Sequence, residues 1–245
     1  MASQLEYLEI IGLHVLDIKD DAIAKLTNLE YLLVTDSGLR NLRINSLGTL
    51  GNLTALSLQR NLISSIDAGS FDALSQLSVL KLSLNRLSSI SATIFNKLSK
   101  LTILHLGSNQ LTTLPAEVFK ANTMLQQLDL SGNMLSDLSA PLSHVTTLEF
   151  LNVSYNPSLT LESNMWESLS TSSLRVLDVS FSNTRPSASF CGKDDSLSVL
   201  FATNVGLNTA AGDFKHHEFV RACFGKVRVM EGGVAHTFER RQMAS

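Results

Sequence analysis

The chain has 245 residues, of which 44% are hydrophobic and 17% charged, a composition that suits one large globular domain or one long repeat array. Its net charge of −3 divides into −5 over residues 1–212 (13 Lys and Arg against 18 Asp and Glu) and +2 over residues 213–245 (6 against 4). Neither part has the clustered basic residues of a nucleic-acid surface, and no run approaches 18 apolar residues, so we expect neither a nucleic-acid partner nor a membrane span.

A unit of about 24 residues repeats along the sequence. Residues 53–63, 77–87, 101–111 and 125–135 read LTALSLQRNLI, LSVLKLSLNRL, LTILHLGSNQL and LQQLDLSGNML. They share the spacing L-x-x-L-x-L-x-x-N-x-L, with Ile63 replacing the last leucine of the first stretch. Nine units are found in chain order, and their first leucines are Leu5, Leu29, Leu53, Leu77, Leu101, Leu125, Leu148, Leu174 and Leu197. This period predicts a stack of similar coils.

An asparagine occupies the ninth place of five consecutive units. These residues are Asn61, Asn85, Asn109, Asn133 and Asn156. A buried asparagine there can bond the backbone of its own turn and of the neighbouring coil, which satisfies groups that a tight bend leaves unpaired. We therefore predict a continuous structural ladder rather than a catalytic row.

The second half of each unit also repeats large apolar residues. Ile66, Phe71 and Leu74 recur as Ile90, Phe95 and Leu98 and then as Leu114 and Phe119, while Trp166 and Leu169 take the large positions of the seventh unit. This recurrence predicts an inward-pointing aromatic spine. Because one coil alone cannot bury these side chains, stacking of neighbours should supply the stability.

The repeat pattern resembles the family of typical leucine-rich repeats of extracellular proteins and receptor ectodomains, closely over residues 5–183 and loosely over 184–212. The resemblance implies an α/β solenoid, a horseshoe of about nine coils with a concave parallel β-sheet and an irregular or short-helical convex side. It also implies binding of a protein partner, and in some members of carbohydrate or lipid. No cofactor is expected.

The residues that the signature leaves free should face outward from the sheet, because strand side chains alternate between core and solvent. The third positions are mainly apolar and the fifth positions mainly polar. A contiguous apolar row on a surface usually marks an interaction site, although the same residues could simply pack on one another. The candidate partner-binding residues on this face are Tyr7, Tyr31, Lys81, Ile103, His105, Asp129, Phe150, Asp178 and Phe201.

Lys81, His105 and Asp129 fall on successive predicted strands near several serines, which raises the possibility of a hydrolase. We exclude a catalytic triad because a flat parallel sheet uses its backbone N–H groups in the ladder and leaves none for an oxyanion hole. The alternative hypothesis is that His105, between a cation and an anion, makes binding sensitive to pH near 6 to 7. The chain is predicted not to be an enzyme.

The C-terminal part is the least repetitive. We divide the chain into a leucine-rich-repeat array at 1–212 and a C-terminal cap and tail at 213–245. Cys191 and Cys223, the only cysteines, fit one disulfide that fixes the cap, with two reduced thiols as the alternative. His216, His217, Glu218, Cys223 and His236 lack any metal-site spacing, so no metal is expected.

Two sequons bear on the compartment. Asn52-Leu53-Thr54 and Asn152-Val153-Ser154 match the glycosylation acceptor N-x-[ST]. Together with the two cysteines they favour an extracellular or cell-surface ectodomain. The N-terminal residues MASQLEYLEI show no signal peptide, which favours an intracellular scaffold with the same binding physics. A third interpretation is the repeat region of a larger protein whose activity lies elsewhere.

Overall fold

The computed structural model describes residues 4–15, 17–18, 23, 25–44, 46–48, 50–160 and 173–182 in full. It also describes the backbone of strands at 199–201, 226–231 and 234–239. The thirteen strands are β1 (Tyr7–Ile11), β2 (Tyr31–Thr35), β3 (Asn41–Leu42), β4 (Ala55–Ser57), β5 (Ser65–Ile66), β6 (Val79–Lys81), β7 (Ile103–His105), β8 (Gln127–Asp129), β9 (Phe150–Asn152), β10 (Val176–Asp178), β11 (Val199–Phe201), β12 (Lys226–Glu231) and β13 (Val234–Glu239). One short helix, α1 (Ser139–Leu142), lies between β8 and β9.

Eleven of the described strands form one sheet, in the order β1-β2-β4-β6-β7-β8-β9-β10-β11-β12-β13. All neighbours are parallel except β12 and β13, which form an antiparallel pair. Each third-position residue of the sequence repeat begins a strand, and equivalent positions pair in register, as Leu80 does with Leu104. The predicted solenoid with a parallel sheet is therefore confirmed.

Most strands of this sheet have three residues, because the chain turns away from the sheet after the fifth position of the unit. The leucine in the middle of β6, β7, β8 and β9 is buried, whereas the residues on either side of it are partly or fully exposed. Leu101, Leu104 and Leu106 of one unit all have 0% of their surface exposed. Truncating such a leucine to alanine typically costs about 2–5 kcal/mol, so these positions hold the coils together.

The side of the coils away from the sheet consists mainly of turns. A second, two-stranded parallel sheet joins β3 to β5 there, pairing Asn41 with Ser65 and Leu42 with Ile66. The short α1 is the helix among the described residues, so this side has the irregular or short-helical character that the resemblance implies.

The five ladder asparagines share one bonding pattern. Asn85, for example, donates through Nδ2 to Leu58 O of the preceding coil and to Leu82 O of its own coil, both at 2.9 Å. Its Oδ1 accepts the backbone N–H of Ile63 at 3.0 Å. Equivalent bonds occur at Asn61, Asn109, Asn133 and Asn156. Each side chain therefore connects two coils at the end of the strand.

Phe71, Phe95 and Phe119 form a stack inside the solenoid. Their ring centroids are 6.4 and 6.2 Å apart with interplanar angles of 12° and 8°, and each ring has 0% exposure. Three residues after each phenylalanine the units have Leu74, Leu98 and then Asn122, which is also fully buried. Asn122 donates to Phe95 O at 3.1 Å and Leu98 O at 2.9 Å, while no described residue donates to its Oδ1.

Several sequence predictions fall outside the described residues. These are Trp166 and Leu169 of the spine, Cys191 and Cys223 of the expected disulfide, and His216, His217 and Glu218, at which no metal is expected. Phe201 and His236 lie on β11 and β13, of which only the backbone is described. The boundary predicted at residue 212 falls between β11 and β12, and β12 pairs with β11 to continue the sheet.

Candidate recognition face

The outward-facing residues of the sheet form two rows, which together we call the concave face. The third-position row joins Tyr7, Tyr31, Ala55, Val79, Ile103, Gln127, Phe150 and Val176 on consecutive strands. Neighbours in such a row lie about 4.8 Å apart across the strands. All eight side chains are at least partly exposed, and Gln127 is the polar member of an otherwise apolar or aromatic row.

Two tyrosines form the N-terminal end of this row. Tyr7 is 50% exposed and Tyr31 44% exposed, and their ring centroids are 6.3 Å apart at an interplanar angle of 39°. The Tyr7 hydroxyl donates to Glu9 Oε2 at 2.9 Å, and this hydrogen bond raises the pKa of Tyr7. Exposed tyrosines are favoured interface anchors because they offer a large apolar area and a polar tip.

The fifth-position row brings Lys81, His105 and Asp129 side by side, since Lys81 pairs with His105 and His105 with Asp129. All three side chains are partly buried. Burial lowers the pKa of His105 below its ordinary value, while the Asp129 carboxylate raises it and the Lys81 ammonium lowers it further. The range in which His105 changes its charge is therefore shifted downward from the range expected from the sequence.

The polar fifth-position residues of β8, β9 and β10 have an intramolecular role that was not predicted from the sequence. Asp129 Oδ1 accepts the backbone N–H of Ser131 at 3.0 Å, and Asp178 Oδ1 accepts that of Ser180 at 2.9 Å. Asn152 makes the same bond to Ser154 at 3.0 Å. These short loops orient the three side chains, which lie in register on β8, β9 and β10. The repeated sequence motif D-x-S or N-x-S could have predicted these hydrogen bonds.

Asp129 also packs closely against the turn that follows β7, at Gly107. A Cβ placed on Gly107 would lie 2.9 Å from both Asp129 Oδ2 and Ser131 Oγ. The absence of a side chain at residue 107 thus makes room for the Asp129 carboxylate. In the described part of the chain no hydrogen bond joins Asp129 to His105, so the Asp–His contact that a hydrolase triad needs is not formed there.

A third row lies at the corner where each coil leaves the sheet, three residues after the strand's fifth-position residue. Every described corner residue has a positive φ: Gly12, Asp36, Arg60, Leu84, Ser108, Gly132, Tyr155 and Phe181. The left-handed conformation costs a residue with a side chain about 1–2 kcal/mol, yet six of the eight carry one. Asp36 and Arg60 use this position for an exposed ion pair at 2.7 Å.

Tyr155 and Phe181 occupy the last two described corners. Their rings stack with centroids 4.4 Å apart at an interplanar angle of 12°, and Tyr155 is 56% exposed. This pair was not predicted from the sequence, because the eighth place of the repeat has no fixed residue type. Two aromatic residues at the eighth place of adjacent units were the available signal.

The two sequon asparagines differ in their surroundings. Asn52 is exposed outside the sheet, where its Nδ2 donates to Thr27 O at 3.0 Å. Asn152 is half-buried on the concave face, and its Oδ1 accepts both the backbone N–H and the hydroxyl of Ser154, at 3.0 and 2.7 Å. A glycan on Asn152 would cover the C-terminal half of the face.

In the part of the chain that the structure describes, no group of three or more His, Cys, Asp or Glu residues is placed to hold a metal ion. Among the described residues there is also no helix with the length and apolar character needed to cross a membrane.

Comparison with known proteins identifies the repeat. The sequence model of the leucine rich repeat family matches residues 27–87, 51–111, 75–135 and 99–157. These overlapping matches cover residues 27–157, which is more than half of the chain. A search of curated proteins gave no match.

Proposed function

Because the chain belongs to the leucine-rich-repeat family, we propose that it is a recognition module that binds a protein partner on its concave face. Repeats of this family are commonly protein-interaction modules, and their solenoid is typically non-enzymatic. The function proposed is therefore binding rather than catalysis. Fold alone does not fix function, so the proposal depends on the residues of the face itself.

One observation carries the proposal. The third-position row places mainly apolar side chains on consecutive strands in register and leaves them partly exposed, with Tyr7 and Tyr31 about half exposed at one end. Contiguous exposed apolar residues mark interaction surfaces, because leaving them in water has an energetic cost that a partner removes. The fifth-position row beside them supplies charged and polar groups for specificity.

The experiment compares capture of proteins by the intact chain and by a double variant, Tyr31→Ala with Phe150→Ala. Tyr31 is 44% exposed and Phe150 partly buried, and they lie at separate places along the same row. The matched control is Ile44→Ala with Met124→Ala, which truncates two side chains of 51% and 52% exposure outside the concave face.

We expect the native chain and the control variant to capture the same partner protein, and the double variant to lose it. Retention by the double variant would place the interaction elsewhere on the molecule and contradict the proposal. Thermal unfolding of both variants checks that the solenoid stays folded.

We also propose that the chain acts outside the cell or at the cell surface, with a cytoplasmic scaffold as the alternative. The support is the exposed position of Asn52 in an N-x-[ST] sequon, since glycosylation requires an accessible surface loop. Mass spectrometry of the native protein should find a glycan on Asn52. An unmodified Asn52 together with reduced Cys191 and Cys223 would favour the cytoplasmic scaffold instead.

A further inference from the structure

We propose that the C-terminal half of the concave face binds an extended protein segment carrying two basic residues three positions apart. This inference rests on the proposed function and names the chemistry of the partner. The site consists of Asp129, Asn152 and Asp178, which we call the acidic row after its two carboxylates, together with the stacked rings of Tyr155 and Phe181 at the adjoining corners.

The acidic row is held in place before any partner arrives. Each side chain accepts the backbone N–H two residues later through Oδ1, at 2.9 to 3.0 Å. No described residue donates to Oδ2 of Asp129 or of Asp178. Because these side chains are already oriented, a charged partner loses less conformational entropy on pairing with them.

The aromatic stack lies next to the end of this row. Tyr155 donates its backbone N–H to Ser180 O at 2.8 Å, and Ser180 in turn donates to Asp178 Oδ1. The corner that carries the exposed Tyr155 ring is thus joined through one residue to the Asp178 carboxylate. A guanidinium group suits this combination, since it stacks on aromatic faces and pairs with carboxylates.

The charges of this region are complementary to a basic segment. Residues 127–132, 150–156 and 176–182 contain two carboxylates and no Lys, Arg or His. The cation of the same row, Lys81, lies two strands beyond Asp129, next to His105. Lys81 would repel a basic segment, so it should confine that segment to β8, β9 and β10.

The geometry sets the spacing of the basic residues. Asp129 and Asp178 are two strands apart, which corresponds to about 10 Å across a sheet. A polyproline II segment rises about 3.1 Å per residue and has three residues per turn, so residues i and i+3 lie on one side about 9 Å apart. Two arginines separated by two residues therefore match the two carboxylates.

The test uses three fluorescein-labelled peptides measured by fluorescence polarisation against the full chain. The first has two arginines separated by two prolines, the second has glutamates in their place, and the third has the arginines separated by one proline. We expect the first to bind about 10-fold more tightly than the third, and the second not to bind. Binding of the first should weaken as salt rises, because the contacts are partly exposed.

Asp129→Asn and Asp178→Asn remove only charge, since Asn152 already makes the same backbone hydrogen bond in this sheet. Each substitution should lower the affinity for the first peptide about 10-fold, and Tyr155→Ala should do the same. The matched control is Glu117→Gln, which neutralises an exposed carboxylate outside the face. Equal affinity for the arginine and glutamate peptides, or unchanged affinity in both Asp variants, would overturn the inference.

The two proposals fail in different ways. If the arginine peptide does not bind but a protein partner is still lost from the Tyr31→Ala, Phe150→Ala variant, the partner lacks this chemistry and the concave-face proposal stands. If that variant keeps its partners while the arginine peptide depends on Asp178, the basic-segment site stands and the wider proposal is wrong.

Discussion

The amide oxygen of Asn109 accepts the backbone N–H of Leu87 at 3.0 Å, although the two residues are 22 positions apart. No other described acceptor bonds that buried N–H group. Asn109 Nδ2 also donates to Leu82 O of the preceding coil at 3.1 Å and to Leu106 O of its own at 2.9 Å. One side chain thus satisfies the backbone of two coils at the same bend.

Replacing this side chain should destabilise the solenoid. We expect Asn109→Ala to lower the free energy of unfolding by about 1–3 kcal/mol, because it leaves the buried N–H of Leu87 without an acceptor. Chemical denaturation measures the change. Gln110→Ala, at the exposed neighbouring position, is the control and should have little effect. Equal stability of the two variants would mean that the ladder is dispensable.

Asn122 should respond in the opposite way although it too is buried. Its Oδ1 receives no hydrogen bond from the described residues, and the carbonyls it bonds, Phe95 O and Leu98 O, already accept the N–H groups of Leu98 and Leu101. Asn122→Leu therefore removes a buried unpaired acceptor and leaves both carbonyls bonded. We expect stability to stay within about 1 kcal/mol of the native protein or to rise.

The matched comparison is Asn109→Leu, which should be strongly destabilising since it leaves the Leu87 N–H unpaired. Both variants introduce a leucine at a buried position of the same repeat unit, so their denaturation midpoints can be compared directly. If Asn122→Leu lowered the stability as much as Asn109→Leu, the two hydrogen bonds that Asn122 donates would contribute more to stability than its unpaired oxygen costs.

The strands and their register could be predicted from the sequence because the repeat constrains them. Leu80 and Leu104 occupy the same place in successive units, and the structure pairs them directly. Once one strand is placed, the period places the others, since a shift by one residue would turn every buried leucine toward solvent. The ladder asparagines follow from the same reasoning, because their place in the unit is fixed.

The free positions of the unit could not be predicted as well, because the repeat does not specify them. Asp129 and Asp178 were identified as outward-facing, but not as acceptors of the Ser131 and Ser180 N–H groups. Tyr155 is stacked on Phe181 through backbone conformations at φ 55° and 56° that the residue type does not favour. Such contacts depend on which side chains adjacent coils place together, and the period of one unit does not reveal them.

His105 should make the stability of the chain depend on pH. Burial lowers the pKa of folded His105 below its ordinary value, so the unfolded chain binds more protons as the pH falls below about 6.5. The stability that neutral His105 contributes is therefore present above that pH and is lost on acidification. We expect the loss of unfolding free energy between pH 7.5 and 5.5 to be smaller in His105→Gln than in the native chain.

The neighbours of His105 provide a second measurement. Asp129 raises the pKa of His105 and Lys81 lowers it, so titration by NMR should give a lower pKa in Asp129→Asn and a higher one in Lys81→Gln. Neither substitution removes the burial that is the main cause of the shift. Movement of the pKa in the same direction in both variants would contradict the charge arrangement of the row.

Gly107 tests how firmly the Asp129 carboxylate is held. A Cβ there would lie 2.9 Å from both Asp129 Oδ2 and Ser131 Oγ. The Ser131 side chain can rotate to another rotamer, whereas Asp129 is held because its Oδ1 accepts the Ser131 N–H. Gly107→Ala should therefore cost about 1–3 kcal/mol of stability through overpacking. Asp129→Ala should relieve much of that cost, so the double variant should be more stable than the sum of the single effects predicts. Additive effects in this double-mutant cycle would show that the carboxylate swings aside readily, and the acidic row would then lose the preorganisation on which its affinity for a basic segment depends.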